Sequence, residues 1–394
     1  MKKRNVGLAV IAFLLTISLC YGSRFWLFKS QNETSIDITT SATSVPNAFD
    51  AKDSYRIASS GAFVFGGLAK EDETAVEDGT RIEYKDGSVY VGEVTDGNKR
   101  SNSGTLTWKT GETYTGKWKN DEISGKGKLT YPGIGEYEGA FVDGKREGKG
   151  KFIWIYDKSP AVGQPISFDG EWKNDTIGAK GKLVLAGLGT YDGEFKNRQR
   201  SGKGIFKWEN GDIYEGAWNN DAINGKGVLT LVDGTKLEGT FSSGILNKGT
   251  ATYAVKGGKA VRNVVSGKVT NKVMITYDNK TVITGNLKNN EFTGKVTINY
   301  ISGDTYVGTL KNGLKNGQGT YTWRNGAHYV GNWVNDKMSG NGKYYYGKDE
   351  TKNHLTGKFS NGLPSGTLIY VNSNKLRYET VWSNGKCTRV TYKK

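Results

Sequence analysis

Residues 114–131 read YTGKWKNDEISGKGKLTY, and this stretch decides the fold. Tyr114, Gly116 and Trp118 occupy alternate positions, which is the period of a β-strand with one aromatic face. A second alternating run follows over residues 125–131, with two glycines and then two large side chains on one face. The stretch therefore predicts two antiparallel strands joined by a short turn.

The same pattern recurs thirteen times between residues 90 and 382, and seven of the spacings between successive copies are 23 residues. Asn-Gly and Asp-Gly pairs between the runs are typical of tight hairpin turns. The repeats predict a mainly β fold, an elongated single-layer antiparallel meander of about 24 to 26 strands over residues 79–394. The aromatic residues expected to pack the repeats are Tyr114, Trp118, Tyr137, Trp172, Tyr191, Tyr214, Trp218, Tyr306, Tyr329 and Trp333.

The repeat glycines have a predicted steric role. Alternate residues of each strand share one face, and the positions there that are not glycine carry Tyr, Trp, Phe or Leu. A glycine on this face therefore leaves a hollow into which a ring from the neighbouring strand can lie. Gly116 is therefore predicted to be a socket for a ring and not a hinge.

The repeat resembles the MORN family (membrane occupation and recognition nexus), whose unit reads roughly Tyr-x-Gly-x-Trp-x-x-Gly-x-x-x-Gly-x-Gly. The resemblance covers about residues 80–392. It implies a twisted single-layer sheet that acts in scaffolding, dimer formation or association with anionic lipid, without catalysis. Residues 242–290 depart from the pattern, so regular packing is least expected there. An insertion over residues 154–168 is the best candidate for a loop that contacts a specific partner.

The N-terminal thirty residues form a separate segment. Residues 5–23 are uncharged and mostly apolar, and about 20 such residues span a bilayer as a helix. Three basic residues precede the run and two follow it, which favours a cytoplasmic N-terminus and an extracytoplasmic repeat domain. We expect residues 1–30 to be a signal-anchor of a single-pass cell-membrane protein. The alternative is a signal peptide, cleaved near Cys20, of a secreted protein.

Residues 31–78 are rich in Ser and Thr and carry nine acidic and three basic residues, which predicts a linker. Within this linker, residues 62–65 have the composition of a strand that pairs with the domain that follows.

The sequence offers little material for catalysis. Two Cys and two His residues, far apart, predict neither a disulfide framework nor a metal site, and we expect no enzyme activity and no cofactor. Residues 111–117 imitate the start of a phosphate-binding loop, but no helix is expected to follow. Acidic pairs such as Asp169 with Glu171 imitate glycosidase carboxylates, but cross-strand pairing with lysine explains them better. The alternatives left open are a cell-wall carbohydrate or choline-type binding module and a wall hydrolase using acids within residues 242–290.

The net charge of +16 is unevenly distributed. Residues 265–394 contain 19 basic and 7 acidic residues, and their lysines lack the strand-one acids found in earlier repeats. We expect them to bind an anionic lipid, an anionic surface polymer or an acidic protein, and no nucleic acid. The open edge of the last strand also allows a homodimer. The candidate residues for the anionic partner are Lys295, Lys311, Lys315, Arg324, Lys337, Lys343 and Lys358.

Overall fold

The computed structural model describes residues 70–76, 79–95, 99–288 and 291–393. These residues form 29 β-strands and no helix, which confirms the predicted mainly β class. They divide into two compact units. Unit 1 comprises residues 70–232 and Gly239–Ile245, and unit 2 comprises Asp233–Glu238 and residues 246–393, apart from the gaps given above.

Unit 1 is an antiparallel meander in which each strand from β1 to β14 pairs with the next along the chain. Its strands are β1 (Lys70–Val76), β2 (Gly79–Tyr84), β3 (Val89–Thr95), β4 (Lys99–Thr107), β5 (Thr113–Lys119), β6 (Glu122–Tyr131), β7 (Gly135–Val142), β8 (Lys145–Trp154), β9 (Pro165–Lys173), β10 (Thr176–Leu185), β11 (Gly189–Lys196), β12 (Gln199–Trp208), β13 (Ile213–Asn219) and β14 (Ala222–Thr230). The division between the units passes through β15 (Lys236–Ser242).

Unit 2 is a second antiparallel meander, from β16 to β29. Its strands are β16 (Ile245–Val255), β17 (Gly258–Val265), β18 (Lys268–Tyr277), β19 (Val282–Lys288), β20 (Glu291–Asn299), β21 (Thr305–Lys311), β22 (Leu314–Thr322), β23 (His328–Val334), β24 (Lys337–Tyr345), β25 (His354–Ser360), β26 (Leu363–Pro364), β27 (Gly366–Val371), β28 (Arg377–Ser383) and β29 (Lys386–Lys393).

The described strands exceed the predicted 24 to 26 for two reasons. Strands β1 and β2 precede the first repeat core, so residues 70–76, which the sequence places in the linker, form a strand paired with β2. In the twelfth repeat the second strand is split into β26 and β27, which both pair with β25. The other 26 strands form thirteen hairpins. The sequence pattern was wrong for the eighth of them, because its expected core strand over residues 265–269 spans the turn between β17 and β18, where Ser266 and Gly267 have positive φ.

The turns inside the repeats explain why short connections suffice. Asn120 and Asp121 between β5 and β6 both have positive φ, 49° and 71°. Asp143 and Gly144 between β7 and β8 have φ values of 47° and 73°. Two consecutive residues with positive φ make the turn whose twist matches that of the flanking strands.

The two regions that depart from the repeat pattern differ in structure. The loop over residues 155–164 folds back onto the turn between β10 and β11, where the Gly163 N–H donates to the Ala186 carbonyl at 2.7 Å. Residues 242–288, in contrast, continue as regular hairpins with eight paired positions between β16 and β17. Their core uses Ala251, Ala260 and Val273 where other repeats use tyrosine and glycine.

The predicted signal-anchor, the cleavage site near Cys20 and the strand over residues 62–65 lie outside the described residues. In the part of the chain that the structure describes, no helix is long and apolar enough to cross a membrane.

Candidate functional site

We call the face that carries the repeat Tyr, Gly and Trp residues the aromatic face, and the opposite face, which carries Thr115 and Lys117 on β5, the polar face. On the aromatic face, the Tyr114 ring covers Gly116 on its own strand and Gly127 on the next. A Cβ atom added at either glycine would collide with this ring. Gly116 is therefore a socket and not a hinge, although its ring comes from its own strand. The ring at Gly127 comes from the neighbouring strand, as predicted.

The tyrosine hydroxyl closes this arrangement. The Tyr114 hydroxyl donates to the Lys117 carbonyl oxygen at 3.0 Å. The same bond, to the carbonyl three residues further on, is made by Tyr90, Tyr137, Tyr191, Tyr214, Tyr306 and Tyr329. All seven side chains are fully buried. Burial raises the pKa of Tyr214, Tyr306 and Tyr329 to about 12, because the phenolate would lose its hydration.

Tryptophan and phenylalanine link successive repeats. The Trp118 ring meets Tyr90 and Tyr114 edge-on, with centroids 5.4 and 5.3 Å away. Its indole N–H donates to the Gly104 carbonyl at 3.1 Å. Trp172, Trp218 and Trp333 donate in the same way to Gly150, Gly204 and Gly319. All ten aromatic residues selected from the sequence are buried on this face.

A buried cation lies beside several of these indoles. Arg146 is fully buried, and its guanidinium carbon is 4.7 Å from the Trp172 ring centroid and 5.7 Å from that of Tyr137. Its Nε lies 3.1 Å from Asp175 Oδ1, and its Nη2 donates to the Asp175 carbonyl at 2.8 Å. The pair therefore joins β8 to the turn after β9.

We call this arrangement, a buried cation paired with an Asp and lying beside an indole ring, an aromatic box. It occurs three more times. Arg100 pairs with Asp121 beside Trp118, Arg200 pairs with Asp221 beside Trp218, and Lys315 pairs with Asp336 beside Trp333. Burial lowers the pKa of Arg200, while the Asp221 carboxylate opposes that shift. The sequence analysis missed these boxes. The signal for them is an Asn-Asp turn after each tryptophan, together with a cation 21 residues before the Asp in three of the four cases.

Boxes alternate with a second kind of repeat. At the position of Arg100 and Arg146, the repeat between them has Ile123, which pairs with Trp118. The next repeat has Phe141 at the position of Trp118, and the turn after it is Asp143-Gly144. The repeats of unit 1 therefore alternate. A Phe-repeat, with Phe141 or Phe195 at the tryptophan position, carries a buried Arg on its second strand, and a Trp-repeat carries Ile123, Ile177 or Ile223 at that place. Each buried Arg thus meets the Trp and the Asp of the following repeat.

These boxes bear on the choline-type alternative. An aromatic cage recognises a quaternary ammonium by surrounding its charge with ring faces. The rings of Trp118, Trp172, Trp218 and Trp333 already surround the chain's own guanidinium or ammonium groups. Those four indoles therefore do not present an open cage to a ligand.

The polar face of unit 1 is balanced in charge. Lys151 lies between Glu138 and Asp169 on the neighbouring strands, and Lys182 lies between Asp169 and Asp192. The Asp169 carboxylate thus faces lysines on both sides. This arrangement is cross-strand charge pairing, as the sequence indicated.

The polar face of unit 2 is not balanced. Strands β18 to β25 contain a single acid, Glu291. Lys343 lies between Val330 and Thr356, and Lys358 lies opposite Asn341. The lysines of these strands are Lys268, Lys272, Lys288, Lys295, Lys311, Lys315, Lys337, Lys343 and Lys358.

Five of the seven candidate cations lie on these strands and point to solvent or are half-buried: Lys295, Lys311, Lys337, Lys343 and Lys358. Arg324 lies in the turn after β22, where its side chain packs beside Gly303. Lys315 is different, because its ammonium lies in an aromatic box, 3.0 Å from Asp336 Oδ1. Lys315 therefore serves the packing of unit 2.

Most acids of unit 2 are held in local contacts. The Asp304 carboxylate accepts hydrogen bonds from the Arg324 backbone N–H and the Tyr321 hydroxyl, which lower its pKa. Glu350 lies 3.3 Å from His328 Nε2, and Glu379 lies 3.0 Å from Lys393 Nζ. Among the described residues, the strand lysines of the polar face therefore have no facing carboxylate, apart from Lys288, which lies opposite Glu291.

Uncharged polar side chains lie among these lysines. Gln318 and Asn332 face each other across β22 and β23, and Gln318 Nε2 donates to Asn332 Oδ1 at 2.7 Å. A neighbouring row runs Thr297, Val307, Thr320 and Val330 across four strands. The polar face of unit 2 thus combines positive charge with amides and hydroxyls.

Two kinds of site that the sequence raised, a metal centre and a phosphate-binding loop, can be compared with the described residues. They include no group of three or more His, Cys, Asp or Glu side chains able to hold a metal ion. The string over residues 111–117 runs from a turn into β5, and Gly116 lies under a tyrosine ring. A strand in that position has no helix N-terminus to hold phosphate.

Comparison with solved structures finds a likeness to the SAS-4 (dCPAP) TCP domain of Drosophila melanogaster, determined in complex with a proline-rich motif of Ana2 (dSTIL). The identity is 10%, the alignment covers 49% of this chain and 84% of that chain, and the TM-score is 0.23. A likeness at that score supports no inference about function. Comparison with curated protein sequences finds no match.

The family model for the MORN repeat matches eight segments, at residues 90–113, 114–133, 137–155, 168–187, 191–213, 214–236, 306–328 and 329–350. Seven of these segments begin at the tyrosine whose ring covers paired glycines, and the eighth begins at Phe168 in the same role. Such repeats generally form scaffolds that bind proteins or membranes. The matches and the geometry agree, and the chain belongs to the MORN repeat family.

Proposed function

We propose that this protein is a non-catalytic scaffold, anchored in the cell membrane, that holds an anionic partner on the polar face of unit 2. The observation that carries the proposal is the contrast between two surfaces of the same repeat. In unit 1, acids lie opposite Lys128, Lys149, Lys151 and Lys182. On the described strands β18 to β25, Lys288 lies opposite Glu291, and the other lysines have no acid across from them. Uncompensated charge attracts an opposite charge and concentrates it near the surface.

A charge-matched pair of variants tests this proposal in the full-length chain. The first variant changes Lys295, Lys311, Lys343 and Lys358 to Gln, and the control changes Lys128, Lys149, Lys151 and Lys182, which lie opposite acids, to Gln. Both lose the same net charge, so a difference between them reports on position. We expect the first to weaken binding to polyglutamate or to phosphatidylglycerol vesicles by on the order of tenfold, and the control to change it far less.

Salt provides the second readout. Contacts between exposed charges are screened at a Debye length of about 8 Å in physiological salt and about 3 Å at 1 M. Binding by the unaltered protein should therefore fall steeply between low salt and 1 M salt. Equal losses for the two variants, or binding that ignores salt, would refute a polyanion-binding role for unit 2.

The membrane part of the proposal rests on residues 5–23, which lie outside the described residues. An apolar run of this length with more positive charge before it than after it favours a single-pass anchor, N-terminus inside and repeats outside. Protease added to intact cells should then remove the repeat domain. Resistance that ends only when the membrane is broken would reverse the orientation, and a repeat domain released into the medium would support the signal-peptide alternative.

A further inference from the structure

We propose that the anionic partner of unit 2 is an acidic glycan: a linear polymer of sugars that carries carboxylate or phosphodiester groups. This inference rests on the proposed function and concerns the same polar face. It uses a feature that charge alone does not require, namely the amides and hydroxyls that lie between the lysines.

The first step concerns hydrogen bonding. Gln318 and Asn332 form one cross-strand pair, and Asn332 also faces Ser339, while Asn341 faces Lys358. Gln318 and Asn341 are exposed, and Asn332 is half-buried. Each amide both donates and accepts, so it can bind a sugar hydroxyl in either role. A partner with charge but no hydroxyl groups would leave this capacity unused.

The second step concerns the row beside the amides. Thr297, Val307, Thr320, Val330 and Lys343 face one another across five successive strands. Val307 and Val330 are 42% and 41% exposed, so their methyl groups are available to the C–H face of a sugar ring. Neighbouring strands lie about 4.8 Å apart, so a polymer that crosses them meets a hydroxyl or a methyl group at the first four strands and the Lys343 ammonium at the fifth.

The third step concerns the kind of cation. Strands β18 to β25 contain lysine and no arginine. Single-stranded nucleic acid is held by aromatic stacking and arginine, and the repeat rings of unit 2 lie on the opposite face. A lysine ammonium is a point charge with three donors, which suits carboxylates or phosphates spaced along a flexible polymer.

The test compares three probes on the full-length chain: polygalacturonate, polyglutamate of similar charge, and neutral dextran. We expect polygalacturonate to bind more tightly than polyglutamate at the same salt concentration, and dextran to bind weakly. The variant Gln318→Ala with Asn332→Ala keeps every charge. It should weaken polygalacturonate about tenfold, as expected for two lost neutral hydrogen bonds, and leave polyglutamate within about twofold.

The matched control is Thr105→Ala with Thr115→Ala. These hydroxyls form a cross-strand pair at 3.0 Å on the polar face of unit 1, and their loss should change binding of neither polyanion. Equal affinity for the two polyanions, or equal effects of the amide variant on both, would overturn the glycan inference while the polyanion-binding role stands. Tighter binding to phosphatidylglycerol vesicles than to polygalacturonate would identify a lipid surface instead. If no polyanion binds, the proposed function itself fails.

Discussion

Glycines that lie under a tyrosine ring should respond differently to an added methyl group from glycines that do not. Gly342 lies under the Tyr329 ring, and a Cβ atom there would collide with it, whereas one at Gly347 would meet nothing within 4 Å. Gly342→Ala should lower the free energy of unfolding by about 1–3 kcal/mol, because the core is already filled. Gly347→Ala, in the same unit, should change it by less than about 0.5 kcal/mol. Urea denaturation measures both, and similar values for the two would contradict the socket role.

A second prediction at this scale concerns the buried cations. Asp221→Asn keeps an oxygen acceptor in the turn but leaves the fully buried Arg200 without its carboxylate. We expect a loss of about 3–5 kcal/mol in the free energy of unfolding, as for a broken buried ion pair. Asp143→Asn, at an exposed turn position that also has positive φ, is the control and should be nearly neutral. Comparable losses at the two positions would mean that the substitutions act through the turn conformation and not through the lost ion pair.

The hairpins show how much the sequence could predict at the scale of strands. Aromatic and glycine residues at alternate positions decide the buried face, and Gly116 opposite Gly127 follows from the repeat alone. The aromatic boxes could not be predicted in the same way, because an arginine in a polar string resembles a solvated residue. Its environment is decided by Asp121 or Asp175, which are distant in sequence and meet it only after two strands have paired.

The candidate site was predictable only in outline. The excess of lysine after residue 265 is visible in the composition, but the separate role of Lys315 required the position of Asp336. The amide pair of Gln318 and Asn332 depends on strand register, and a one-residue slip would place these side chains on opposite faces.

The last strand should behave differently from the strands inside unit 2. All eight residues of β29 are exposed, and β28 is its partner in the described part of the sheet. The strand contributes little burial, so its local opening should cost less free energy than global unfolding. Hydrogen exchange should be fastest at residues 386–393 and much slower at residues 328–334 of β23. Equal protection of the two segments would show that something covers β29 in solution.

At the scale of the whole molecule, the buried tyrosines predict a transition at alkaline pH. Their folded pKa values, about 12 for Tyr214, Tyr306 and Tyr329, exceed the unfolded value of about 10. A group whose pKa is raised on folding contributes stability that is full below the unfolded pKa and is lost as pH rises through the folded one. Between pH 10 and 12, tyrosinate absorbance and the loss of β circular dichroism should rise together. Tyrosinate formation near pH 10 with the β signal intact would contradict this prediction.

The alternation of Trp-repeats and Phe-repeats has a consequence for how such a chain lengthens in evolution. Removing the Trp118 repeat alone would bring Arg100 before the Phe141 repeat, whose Asp143-Gly144 turn supplies no partner at the position of Asp121. Removing or duplicating two repeats restores the match between cation, indole and carboxylate. The heritable module of unit 1 is therefore a pair of repeats. Insertions or deletions of an even number of repeats keep each buried cation next to its carboxylate.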